Sequence, residues 1–126
     1  MKMIMAMIRI DKMNETKKAL SDVGLPSFMA TGRVFGRGKG KYDAKVLEGV
    51  KQDMPEAISL MGPEPRLRPQ RLIQLAVKSE NVKKAVKAIM DANRTDTPGD
   101  GKIFVLPMTD VITVRTGERA NLSLDE

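Results

Sequence analysis

From Lys41 to Pro69 the chain holds no sustained helical or strand period. The same order of elements nevertheless stands on both sides of that stretch: an apolar run of strand length, an amphipathic helix, then another strand. A connection of about thirty residues is far beyond ordinary loop length, and such segments are functional or disordered rather than merely connective. The chain is thereby divided into two β-α-β halves joined by a long mobile loop, taken as residues 37–69. Within it, Val46-Leu47 with Val50, and Ala57-Ile58 with Leu60-Met61, suggest two short helical turns, after which Gly62-Pro63-Glu64-Pro65 and Pro69 break the chain. The loop also carries the only tyrosine, Tyr42, and a basic finish in Arg66 and Arg68, with Arg71 just beyond.

In the first half, Met3 to Ile8 is a continuous apolar run suited to a central strand. Asp11 or Asn14 is placed to cap a helix over residues 12–23, where Met13, Leu20 and Val23 recur at helical spacing. Gly24 supplies the left-handed stop and Pro26 follows it. Phe28, Ala30, Val34 and Phe35 predict a second strand over 27–35, with Gly32 marking a bulge. Gly36-Arg37-Gly38-Lys39-Gly40-Lys41 then alternates three glycines with three cations. It reads either as a solvated flexible loop or as an arm that meets an anion or a protein partner.

In the second half, Leu72 to Val77 is another apolar strand. Ser79 or Glu80 opens a helix whose apolar stripe is Val82, Ala85, Val86, Ile89 and Met90, with Lys78, Lys83, Lys84 and Lys87 on its solvated side. Asn93 to Asp100 is loop, Lys102 to Leu106 a fourth strand, and Val111 to Val114 a short fifth. The tail, 119–126, lacks a packing pattern and is expected to be loose or docked late. The fold class is α+β. The element order is that of a split β-α-β, ferredoxin-like domain over residues 1–118, with both helices on one face of an antiparallel sheet and a short extra C-terminal strand. The uncovered face of such apolar strands predicts an oligomer.

The chain has no His and no Cys, which removes disulfides, thiolate metal sites and the usual imidazole base. No carboxylates are paired at a telling spacing, so an enzyme is not expected and no catalytic or metal residue is assigned. The net charge of +6 favours an anionic ligand or an acidic partner surface. Met1 to Ile8 is too short to cross a membrane; no membrane insertion and a cytoplasmic location are expected. Aromatic residues are 3% of the chain, few for the stacking platforms of an RNA-binding sheet, so a ferredoxin-like RNA-binding module is only the lesser alternative and no nucleic-acid partner is expected; Phe28, Phe35 and Phe104 are read as core. One stretch carries ligand chemistry. In Gly99-Asp100-Gly101-Lys102 two glycines allow positive φ, successive N–H groups can form an anion-binding nest, and Lys102 adds a point charge. The same turn is also a common link between a helix and a strand, and spacing alone leaves both readings open.

Gly99-Asp100-Gly101-Lys102-Ile103-Phe104-Val105 and Arg115-Thr116-Gly117-Glu118 resemble the two signatures of the PII signal-transduction family. The opening strand, Ala19-Leu20-Ser21-Asp22-Val23-Gly24 and Gly36-Arg37-Gly38-Lys39 are similar too, so that the likeness covers residues 1–118. The resemblance implies a nitrogen-regulatory trimer of ferredoxin-like subunits with ATP or ADP in the clefts between them. Mg and 2-oxoglutarate join the nucleotide, and the long loop engages enzymes, transporters or regulators, transcriptional ones included. It further implies that Gly99, Asp100, Gly101 and Lys102 face the nucleotide phosphates, that Arg115 reaches them, and that Gly36, Gly38 and Lys39 line the base of the loop. Tyr42, Lys45, Arg66 and Arg68 become target-binding loop residues, with Gly40, Lys41, Gln70 and Arg71 as 2-oxoglutarate or loop positions. Gly36-Arg37-Gly38-Lys39 and Leu67-Arg68-Pro69 look like the nitrogenase-associated branch, second paralogue. That branch implies a homotrimer or a hetero-oligomer with the first paralogue, inhibition of dinitrogenase, and relief by 2-oxoglutarate; an ammonium transporter or glutamine synthetase is the alternative target.

Three positions depart from the family pattern. Its loop glutamine falls at Gly40, the lysine before the third strand at Gln70 (with Arg68 or Arg71 as substitutes), and one of two arginines at Thr113. Losing two charge-assisted contacts weakens a ligand by about a hundredfold or more. The nucleotide site is therefore expected to be better preserved than the 2-oxoglutarate site.

Overall fold

The computed structural model describes residues 1–36 and 67–124. Alternation in β1 (Lys2–Ile8) builds the core: Ile4, Ala6 and Ile8 are buried, while Met3, Met5 and Met7 lie half-buried on the other face. β3 (Arg68–Val77) repeats the pattern with Ile73, Leu75 and Val77 buried. β2 (Met29–Gly36) and β4 (Gly101–Pro107) close the two edges, giving an antiparallel sheet in the order β2-β3-β1-β4. Helices α1 (Met13–Asp22) and α2 (Val82–Asn93) contribute Leu20, Ala85, Ala88 and Ile89 to the same core cluster as Ile4 and Ile73. Each fully buried aliphatic side chain contributes about 1.5–3 kcal/mol, so this one layer dominates the stability of the fold. The arrangement is the expected ferredoxin-like one.

Local details differ from the expected ones for identifiable reasons. Neither Asp11 nor Asn14 caps α1: a 3₁₀ turn over Ile10–Lys12 leads into the helix and places Lys12 at the N-cap, without a side-chain bond. The C-terminus follows expectation. Gly24 has φ +82°, its N–H reaches Ser21 O at 3.0 Å, and the Leu25 N–H reaches Leu20 O at 2.9 Å, a Schellman pattern that also buries Leu25. Asn93, expected in a loop, ends α2 and is buried; its Nδ2 donates to Thr16 Oγ1 at 2.8 Å and to Ile89 O at 2.9 Å. The two helices are thus joined by a buried polar link that apolar periodicity does not reveal. Met90 leaves the core stripe and faces a cleft of about 390 Å³ between α2 and β4, lined also by Val86, Ile89 and Ile103.

The expected fifth strand at 111–114 is a single bridge, Ile112 to Arg119, outside the sheet. Asp110 explains the change. Its carboxylate accepts the Val111 N–H at 2.8 Å, the Ala120 N–H at 3.3 Å and Arg119 Nε at 2.9 Å, curling the segment onto itself. Through Leu124 the tail is docked, with Thr113 and Ser123 hydroxyls 2.5 Å apart. Phe35 and Phe104 are not core: they are 63% and 44% exposed. Register puts them on opposite faces, because Phe35 pairs with Pro69 on the Arg71–Ile73 side, whereas Phe104 pairs with Met5. They therefore form no shared stacking platform. The face away from the helices carries Met3, Met5, Met7, Leu72, Phe104 and Leu106 and has no covering layer among the described residues. No helix among the described residues is long and apolar enough to cross a membrane.

Candidate anion-binding turn

The turn from Thr95 to Lys102 connects α2 to β4 and sits at the end of the sheet where Gly101 pairs with Ile8. Both glycines are required. Gly99 has φ +98° and Gly101 φ +115°, and a Cβ on Gly101 would lie 2.0 Å from Met7 O. The edge strand can run this close to β1 only without a side chain there.

Acceptors in the turn are collected on one side by Arg9, a residue that the sequence motifs did not single out. Arg9 Nε donates to Gly99 O at 3.0 Å, and Nη2 is shared among Thr97 Oγ1 at 3.2 Å, Pro98 O at 3.3 Å and the Asp100 carboxylate at 3.3 Å. Asp100 also accepts the Thr95 N–H at 2.8 Å and the Thr95 hydroxyl. These Thr95 bonds, aided by Thr97 and Arg9, hold the Asp100 carboxyl below its usual range. Asp100, expected to face phosphates, is a staple inside the turn instead. A carboxylate facing a phosphate would repel it, so this placement suits an anion better. Thr97–Asp100 is a hydrogen-bonded turn that directs the Asp100 N–H to Thr97 O, whereas the Gly99 N–H donates to no described residue, and Lys102 is exposed nearby in sequence. A turn whose acceptors are occupied, with the Gly99 donor left over beside Lys102, is suited to an oxyanion.

The remaining candidates divide by place. Gly36 and Gln70 lie together at the same end of the sheet as Gly101, Gln70 Oε1 being 3.3 Å from where a Cβ on Gly36 would sit. Arg68 pairs with Gly36. Arg71 is on the other face from Gln70 and donates to Thr31 O at 2.9 Å, so it does not stand in for the contact expected at Gln70. The bulge expected at Gly32 is present between Ala30 and Arg33; it turns Arg33 onto the helix face, across from Arg71. Arg115 is not brought to the turn. Its segment is anchored at the far end of the sheet, by the Met108 N–H on Met1 O and by Asp110, and Arg115 makes no hydrogen bond or ion pair with residues 95–102. Gly38, Lys39, Gly40, Lys41, Tyr42, Lys45 and Arg66, with the two helical turns expected in the loop, lie outside the described residues.

Comparison with known proteins agrees with this frame. The family model described as nitrogen regulatory protein P-II matches residues 1–118. A nitrogen fixation nifHD region GlnB-like protein 2 of Methanothermobacter marburgensis is 40% identical over 126 residues, covering 98% of this chain and 100% of that protein. A protein of the same description from Methanococcus maripaludis is 42% identical over 124 residues, with 98% and 100% covered. The crystal structure of Arabidopsis thaliana PII bound to citrate superposes with a TM-score of 0.73 at 26% identity, covering 99% of this chain and 90% of that one. The chain belongs to the nitrogen regulatory protein P-II family, and within it resembles the nitrogenase-associated branch, second paralogue.

Proposed function

We propose that this chain is a cytoplasmic, non-enzymatic PII-type regulator that holds ATP or ADP by its phosphates at Gly99–Lys102 and controls a protein target through residues 37–69. One observation carries the reading: the Pro98 and Gly99 carbonyls and the Asp100 carboxylate are occupied by Arg9 and Thr95, while the Gly99 N–H, beside Lys102, is not. Charge-assisted bonds from such donors are about twice as strong as neutral ones. The Arabidopsis PII structure holds citrate, itself an anion, in keeping with a fold that accepts anionic ligands.

The position of Arg115 at the other end of the sheet makes the site incomplete within one chain. The uncovered face bearing Met5, Leu72 and Phe104 offers the surface on which neighbouring subunits pack, and a neighbour's Arg115 then completes the cleft. A homotrimer, or a hetero-oligomer with a PII paralogue, meets this need. The target proposed is dinitrogenase, inhibited through the loop, in keeping with relatives named for a nitrogen fixation nifHD region. Ligand in the cleft would shift the loop between conformations by its differential affinity for them. Mg and 2-oxoglutarate would relieve inhibition, with Gln70 a weaker contact than a cation. Calorimetric titration with ATP, ADP, and Mg-ATP plus 2-oxoglutarate, repeated on Lys102→Ala, tests the reading. Nucleotide heat that falls about tenfold or more in affinity with the variant supports it. No heat with the parent protein refutes it.

A further inference from the structure

We propose that Arg9 is a positioning residue for the phosphate turn, fixing the orientation of its Pro98–Gly99 donor peptide without touching the ligand. The inference rests on the phosphate reading of Gly99–Lys102. Its geometric basis is the planarity of the peptide unit: in a trans peptide, C=O and N–H point in opposite directions. Arg9 holds Pro98 O at 3.3 Å and Gly99 O at 3.0 Å. Those carbonyls belong to the peptides whose N–H groups are carried by Gly99 and Asp100. The Gly99 N–H is therefore turned away from the guanidinium by a bond made on the far side of its peptide, while the Asp100 N–H is turned to Thr97 O within the hydrogen-bonded turn.

Such fixing is needed because the turn is soft. Gly99 and Gly101 both have positive φ and, lacking Cβ, allow a peptide flip that most residues would resist. A flip of the Pro98–Gly99 plane would present a carbonyl oxygen to the ligand where a donor had stood, converting attraction into repulsion. Arg9 opposes this from β1's end, 90 residues away in sequence, and its contact with Asp100 at 3.3 Å ties the carboxylate to the same side. A lysine could not replace it. The planar fork meets several acceptors at once, whereas an ammonium is a single point charge.

The test compares ATP with adenosine on the full chain and on Arg9→Met and Arg9→Lys, with urea unfolding as a check on the fold. The expected result is that Arg9→Met weakens ATP about tenfold or more, as loss of an oriented charge-assisted donor requires, and leaves adenosine unchanged. Arg9→Lys should recover only part of the loss. ATP affinity unaltered in Arg9→Met overturns the proposal while leaving the phosphate reading intact. Full recovery in Arg9→Lys also overturns it, because charge alone would then suffice. A parallel fall in adenosine binding points to general damage and overturns it too. If the parent binds ATP no better than adenosine, the phosphate reading fails, and this inference with it.

Discussion

Gly101→Ala places a methyl group where the structure has no room. The new Cβ would lie 2.0 Å from Met7 O, 3.1 Å from Met7 C and 3.3 Å from Ile8 Cα. A carbon–oxygen contact is comfortable at about 3.3–3.6 Å, so β4 must move by more than an ångström or lose its last pairing with β1. All three atoms are backbone and cannot rotate aside. Overpacking of this kind costs about 1–3 kcal/mol, and a side chain held at φ +115° adds about 1–3 kcal/mol. Gly99→Ala is the matched control. At φ +98° it bears similar strain, but its Cβ meets only Arg9 Nη2, at 3.4 Å, an ordinary contact with a movable group. Urea unfolding at one fixed protein concentration should therefore show Gly101→Ala less stable than Gly99→Ala by about 1–3 kcal/mol. Equal stability of the two variants would refute the close approach of β4 to β1 on which the turn's geometry depends.

Asn93→Ala should lower stability by about 1–3 kcal/mol, because Thr16 Oγ1 and Ile89 O lose their donor; combining it with Thr16→Val should cost less than the sum, measured by a double-mutant cycle. Asp100 and Asp110 are both held below 3.8, the ordinary carboxylate value, by Thr95 and Arg119 respectively. Their contribution to stability is thus fully present above that value and lost as pH falls through the lowered folded values, so the Thr95 and Ala120 amide signals should hold steady from neutral pH down to about pH 5 and shift only in stronger acid. A midpoint for either near neutrality would contradict the hydrogen bonds assigned to them.

Much of the frame was legible because it rests on period and punctuation. Ile4, Ala6 and Ile8, then Ile73, Leu75 and Val77, are apolar runs whose alternate members are buried, and Gly24 stops α1 where a left-handed residue is needed. The fifth strand was misread because Val111–Val114 has strand composition, while Asp110 offers the backbone a competing set of acceptors. Asn93 was misplaced because a buried polar link follows no hydrophobic period. At the candidate site the glycines were visible as a motif, but Arg9 was not. Its role arises from β1 and β4 being neighbours, a contact between residues 90 apart that no local pattern encodes. The reversed orientation of Asp100 has the same origin.

The central claim is that a nucleotide site is made from the Gly99–Lys102 turn of one subunit and Arg115 of the next. Subunit mixing tests it most directly. Lys102→Ala and Arg115→Ala proteins are each titrated with ATP, then unfolded, combined in equal amounts, refolded together and titrated again, with native mass spectrometry confirming mixed oligomers. A shared site predicts weak binding by each variant alone and recovery of parent-like affinity at about one quarter of the clefts in the mixture, the share that pairs an intact turn with an intact arginine. Mixed oligomers with no recovered sites, or an Arg115→Ala protein that binds ATP as the parent does, would contradict it.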